Sequence, residues 1–189
     1  MSFKIYWYGH AALGLETGGY HILVDPYFTD NPAASTQADQ VPADFILVTH
    51  GQHLGGGYKY PFGYLKLTFA IHGSALPDGS NGGNPAGFLL TTNDGKKIYL
   101  AGDTGLFGDM RLIGEEGLDL AVIPIGDNYT MGPDDALRAV KMLQPRHIIP
   151  IHFNTWDVIS QDAKAWAARV DSLNSAKTHV LKPGESFEL

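Results

Sequence analysis

The stretch DFILVTHGQHLGGGYKYPFG, residues 44–63, decides how this chain is read. An apolar run ends at Thr49-His50, and a glycine-rich segment follows at once. The same arrangement recurs three more times: KLTFAIH ends at His72, KKIYLAGD at Asp103 and HIIPIH at His152. In each, a buried-looking strand ends in a residue that can ligate a metal, and a rigid sheet fixes where such a side chain points. Taken singly, each histidine reads as a hydrogen-bonded strand-end residue and Asp103 as a turn carboxylate. Taken together they point to a metal site built from neutral imidazoles and a carboxylate, a donor set that suits zinc, with Mn or Fe(II) as alternatives. His21, His147 and His179 lack this context and read as surface or structural residues.

Bulk properties narrow the class. The chain has 189 residues, 44% hydrophobic and 17% charged, enough for one domain over 1–189 with a sizeable core. Its formal net charge is −7 and no Lys/Arg run stands out, which argues against a nucleic-acid partner. With no cysteine, any metal must be held by histidines and carboxylates. The opening MSFKIYWYGH goes straight into a strand pattern without a long apolar leader, and no run approaches membrane-spanning length. A cytoplasmic protein without a membrane partner is the expectation.

Strands are expected at 3–8, 11–16, 20–24, 44–49, 64–71, 86–92, 96–101, 118–124 and 146–151, with a short closing pair near 178–181 and 186–189. Residues 29–43 read as a loop. GPDDALRAVKMLQP (132–145) is a helix: Pro133 sits in its first turn beside Asp134 and Asp135. Its apolar stripe is Ala136, Leu137, Val140 and Leu143. A second helix begins at Ser160, with Ala163, Trp166, Ala167 and Val170 on one face, and a weaker one spans 108–115. Sheets covered by helices follow, an α/β (α+β) class.

Five segments carry a specific resemblance: WYGHAALGLETGGYHILVDPYFTDNP (7–32), ILVTH (46–50), NPAGFLLTTNDGKKIYLAGDTGLFGDM (84–110), DLAVIPIGDNYTMGPDDA (119–136), and IIPIHFNT with LKPGESFEL. They resemble the metallo-β-lactamase superfamily, in particular its small bacterial group of uncharacterised metal-dependent hydrolases, related to ascorbate-6-phosphate lactonase. The resemblance implies an αββα sandwich with a binuclear site at the edge of two sheets. Under it, His50 matches the first histidine of an H-x-H-x-D-H motif and His72 the later histidine of the first metal site. Asp103 matches the carboxylate shared by both metals, and His152 the last histidine of the second; Asp103 and His152 are the catalytic candidates. Asp25 matches an acidic residue behind the ligands, read equally well as a turn cap before Pro26. His10 is expected near the site mouth, and Asp127, Thr130 and Asn154 along the pocket.

The sequence departs from that pattern after His50. The second histidine, the aspartate and the last histidine of the motif have no counterpart, and HLGGGYKYPFG resembles what normally follows a further helical unit. His53 thus belongs to the downstream segment and is the weakest of the ligand candidates. An intact relative would hold up to two divalent metals; the residues present suffice for one or none. Loss of the unit should also uncover a sheet face and edge, open to a second copy of the chain.

The resemblance implies a metal-dependent hydrolase whose metal-bound hydroxide attacks a small ester, lactone, amide or phosphoester. The competing reading is a metal-poor, non-catalytic binding protein on the same scaffold, favoured by the absent half of the motif.

Overall fold

The computed structural model describes residues 2–49, 56–75, 78–173 and 175–189. Among the described residues, twelve strands form two sheets. The first five-stranded sheet has the order β12-β1-β2-β3-β4, from β1 (Lys4–Gly9), β2 (Ala12–Thr17), β3 (Tyr20–Val24), β4 (Phe45–Leu47) and β12 (Ser186–Glu188). The second has seven strands in the order β11-β10-β9-β8-β7-β6-β5. These are β5 (Gly57–Tyr60), β6 (Gly63–Phe69), β7 (Ala86–Thr92), β8 (Lys97–Leu100), β9 (Leu120–Pro124), β10 (His147–Ile151) and β11 (Lys177–Thr178).

Burial patterns show how the layers stack. Strand β1 alternates half-buried and buried residues, as a strand does when only one face meets the core. Every residue of β9 is buried, because the other sheet covers one face and helices cover the other. Those helices are α1 (Met110–Gly114), α2 (Pro133–Leu143) and α3 (Ala163–Ser172). Helix α2 buries Ala136, Ala139, Val140 and Leu143, and α3 buries Ala163, Trp166 and Val170. One apolar cluster runs from Ile5 and Leu15 in the first sheet through Phe88 and Val122 in the second to Val140 and Trp166.

Among the described residues the first sheet carries no α-helix on its outer face. The 25–44 connection crosses it instead, laying Phe28 on Ala12 and Leu23 with Tyr8 and Val41 alongside. Residues 48–56 join β4 to β5. The edge strand β4 leaves Ile46 58% exposed, while Phe69 at the end of β6 is 62% exposed. Both are large apolar side chains left open to solvent.

Three expectations are corrected. The segments at 178–181 and 186–189 do not pair: β11 lies parallel to β10 in one sheet, and β12 antiparallel to β1 in the other. Strand β5, not foreseen, forms an antiparallel hairpin with β6. Helix α3 starts at Ala163 rather than Ser160, because the Asp162 carboxylate caps it by accepting from the Ala165 N–H at 2.9 Å.

Candidate metal centre

Strands β8, β9 and β10 are parallel neighbours, so their C-terminal ends open on the same edge. Asp103 follows β8, the 126–132 loop follows β9, and His152 follows β10. His10 reaches them from the turn between β1 and β2 in the other sheet. Ligand atoms of His10, Asp103 and His152 lie within 4.8 Å of one another.

The distances define the centre. His152 Nε2 lies 3.4 Å from Asp103 Oδ2, and His72 Nε2 lies 3.9 Å from the same oxygen. The His10 and His152 rings are 4.1 Å apart between centroids. The other carboxylate oxygen, Asp103 Oδ1, is buried without a hydrogen-bond partner among the described residues, and so is His152 Nδ1. An orphaned buried carboxylate oxygen is costly unless something charged meets it. A divalent cation would satisfy it, and the imidazole–carboxylate donor set is the kind such a cation takes. The residues present therefore fit a metal.

Electrostatics agree with this geometry. Burial pushes the Asp103 carboxyl up, but the His152, His10 and His72 imidazoles together outweigh it and hold the group below its ordinary value. Burial, reinforced by His152 and opposed by Asp103, lowers His10 to about 4. His10 is therefore a neutral imidazole at neutral pH, the form that can donate a lone pair.

Supporting contacts fix the ring positions. His72 Nδ1 lies 3.0 Å from the Tyr129 carbonyl oxygen, which orients that imidazole. His10 Nδ1 lies 3.2 Å from Thr155 Oγ1. Gly126 sits so close behind His152 that an added Cβ would lie 2.1 Å from the His152 carbonyl oxygen and 3.1 Å from Nδ1. His10, His152 and Asp25 all adopt positive φ, at 55°, 57° and 43°. Non-glycine residues rarely hold such angles, and they gather where surroundings impose them.

Asp25 acts one step back. Its carboxylate accepts from the Thr49 backbone N–H at 2.7 Å and from the Thr49 hydroxyl at 2.8 Å. Thr49 is the residue before His50, so Asp25 anchors the chain where the candidate ligand enters. Burial raises Asp25 to about 6, with Thr49 opposing the rise and Asp103 adding to it. His50 and His53 lie outside the described residues. Asp127 and Asn154 bond within their own neighbourhood: Asp127 Oδ1 accepts from Asn128 N–H at 2.9 Å, and Asn154 Oδ1 from Gln161 N–H at 2.7 Å. Thr130 lies in the same loop and only grazes the Met131 carbonyl at 3.5 Å. The structure thus brings together Asp103, His152, His72 and His10. His10 was expected at the mouth and stands in the cluster; as a turn residue it escaped a pattern built on strand ends.

Comparison with known proteins places this fold and centre in a class. Two family profiles described as beta-lactamase superfamily domain match residues 4–61 and 53–153. The chain is 42% identical to the UPF0173 metal-dependent hydrolase TTHA1283 of Thermus thermophilus, over 98% of this chain and 99% of that protein. It is 39% identical to the UPF0173 metal-dependent hydrolase YtkL of Bacillus subtilis, over 98% of this chain and all of that one. The structure of Igni18, a metallo hydrolase from Ignicoccus hospitalis, superposes with a TM-score of 0.89 at 30% identity, covering 100% of this chain and 99% of that one. The chain is a member of the metallo-β-lactamase superfamily and belongs to its UPF0173 family of metal-dependent hydrolases. The alignment with the Thermus protein runs over 223 positions against 189 residues, so at least 34 of its positions have no residue in this chain.

Proposed function

We propose that this chain hydrolyses small uncharged carbonyl substrates (esters, lactones or amides) with a divalent metal seated on Asp103 and His152. The observation that carries the reading is the buried, unpartnered Asp103 Oδ1 in a carboxylate faced by the imidazoles of His10, His72 and His152. His72 and His50 are the further candidate ligands, with zinc the expected metal. When bound, the metal supplies Lewis-acid polarisation and a water acidified toward neutral pH.

The chain's own residues do the rest. Asp103, ionised at neutral pH, offers a second oxygen to orient the attacking water. Asp25 holds Thr49, and with it the backbone entering His50. Trp156 and Tyr27 set their rings edge-on to His10, at 5.0 and 6.0 Å between centroids, and both remain part-exposed. They give an apolar wall for the non-reacting part of a substrate and displace water from it. No Lys or Arg forms an ion pair with Asp103 among the described residues, and the residues outside that set contain neither. The Asp103 carboxylate is thus faced by imidazoles rather than by a fixed cation, and uncharged carbonyl compounds are the substrate class taken up here.

The test is turnover of 4-nitrophenyl acetate and a simple lactone against 4-nitrophenyl phosphate, with protein loaded with zinc. Ester or lactone turnover should exceed phosphate turnover, and Asp103→Asn should lower it by at least about a hundredfold. Preferential phosphate turnover would overturn the substrate class. Loaded protein that turns over none of them would favour the non-catalytic alternative.

A further inference from the structure

We propose that His10 is itself a metal ligand, binding through Nε2, so that His10, Asp103 and His152 form a three-ligand seat joining the two sheets. The proposal rests on the metal-dependent reading above and adds the residue that reading leaves unassigned.

The geometry carries it. His10 shares the 4.8 Å ligand-atom group with Asp103 and His152, three protein ligands being the number a catalytic zinc commonly takes beside an open position. The Nδ1 side of the ring is engaged by Thr155 Oγ1 at 3.2 Å. A neutral imidazole donating Nδ1–H to that hydroxyl must carry its lone pair on Nε2. The contact occupies Nδ1 and steadies the ring plane, as partners behind metal-bound histidines do. Two aromatic rings, Tyr27 and Trp156, hold the imidazole from its edges.

The backbone is arranged to the same end. His10 and His152 both occupy the left-handed region, and the His152 N–H donates to the His10 carbonyl at 3.2 Å. A second donor, Trp7 Nε1–H, meets that carbonyl at 2.8 Å. The turn itself depends on Gly9, at φ 112°, where an added Cβ would lie 2.1 Å from the Ala33 carbonyl oxygen. A histidine serving only as a packing residue needs none of this. Aromatic contact alone would be satisfied by other planar side chains, without a hydroxyl fixing one ring nitrogen.

The experiment is zinc titration by calorimetry of the wild-type chain, His10→Ala and Thr155→Val, with circular dichroism confirming the fold of each. Wild type should bind zinc, His10→Ala should bind at least about a hundredfold more weakly, and Thr155→Val about tenfold more weakly. A folded His10→Ala that binds zinc within threefold of wild type overturns the assignment of His10 and leaves the metal-dependent reading standing. A wild-type chain that binds no zinc overturns both. Should His10→Ala fail to fold, zinc-edge anomalous diffraction from wild-type crystals decides. A zinc ion bonded to His10 Nε2 supports the proposal, and a zinc ion on Asp103 and His152 outside bonding distance of His10 overturns it.

Discussion

The backbone N–H of His152 donates to the carbonyl oxygen of His10 across the seam between the two sheets, at 3.2 Å. Two residues far apart in sequence, both with left-handed backbone, thereby fix one another. The carbonyl they share also receives the Trp7 indole N–H. Trp7 is 2% exposed and packs on Phe153, the residue after His152. Trp7→Phe should cost about 1–3 kcal/mol, combining a lost hydrogen bond with a small packing defect. Denaturant melts check the stability; a zinc titration checks that affinity falls as well.

Because the centre draws side chains from both sheets, metal should act as a cross-sheet clamp. Zinc at a thousand times its Kd should add about 4 kcal/mol to stability, and a chelator should remove it. A thermal melt with and without zinc or EDTA measures this. An unchanged melting temperature would show that the centre does not bind zinc in the folded state.

Two partly buried groups give the metal-free protein opposite pH responses. Burial, helped by His147, lowers His179 to about 4 against an ordinary 6.5. The unfolded chain then binds more protons between those values, so this group's contribution to stability is lost as pH falls through the window. Asp25, raised to about 6 from 3.8, does the reverse: the folded chain holds the extra proton, and stability drops as pH rises between those values. His179→Gln should flatten the first slope and Asp25→Asn the second, read from unfolding at several pH values.

Gly126→Ala tests how tightly His152 is seated. The new methyl would press on the His152 carbonyl, which as backbone cannot simply swing away. A loss of about 1–3 kcal/mol is expected, with weaker zinc binding, by melt and titration.

Ile46→Lys addresses the uncovered edge. Ile46 is 58% exposed on the edge strand β4, a position where a charge blunts pairing with other chains. Stability should change by less than about 0.5 kcal/mol while aggregation on concentration falls, as light scattering would record.

Much of this architecture was legible because its signals are local. Pro133 with Asp134 and Asp135 announced α2, and three of the four strand-end candidates, His72, Asp103 and His152, converge around one carboxylate. What escaped was set by distant partners. GYKY of β5 is exposed and looks like a turn; it becomes a strand only because Tyr58 and Lys59 pair with Leu65 and Tyr64. The segments holding β11 and β12 look alike locally, yet each is recruited by a different sheet. His10 was placed near the site, but nothing beside it in sequence tells that Thr155 and His152 are its neighbours.

The C-terminal segment also braces this centre. Gly184 N–H donates to the Trp7 carbonyl at 2.6 Å, Trp7 N–H donates to Glu185 at 3.1 Å, and β12 then closes on β1. Trp7 thus carries a mechanical link: its backbone is tied to Gly184 and Glu185 while its indole holds the His10 carbonyl, so a disturbance of residues 184–185 is relayed to the centre through a single side chain.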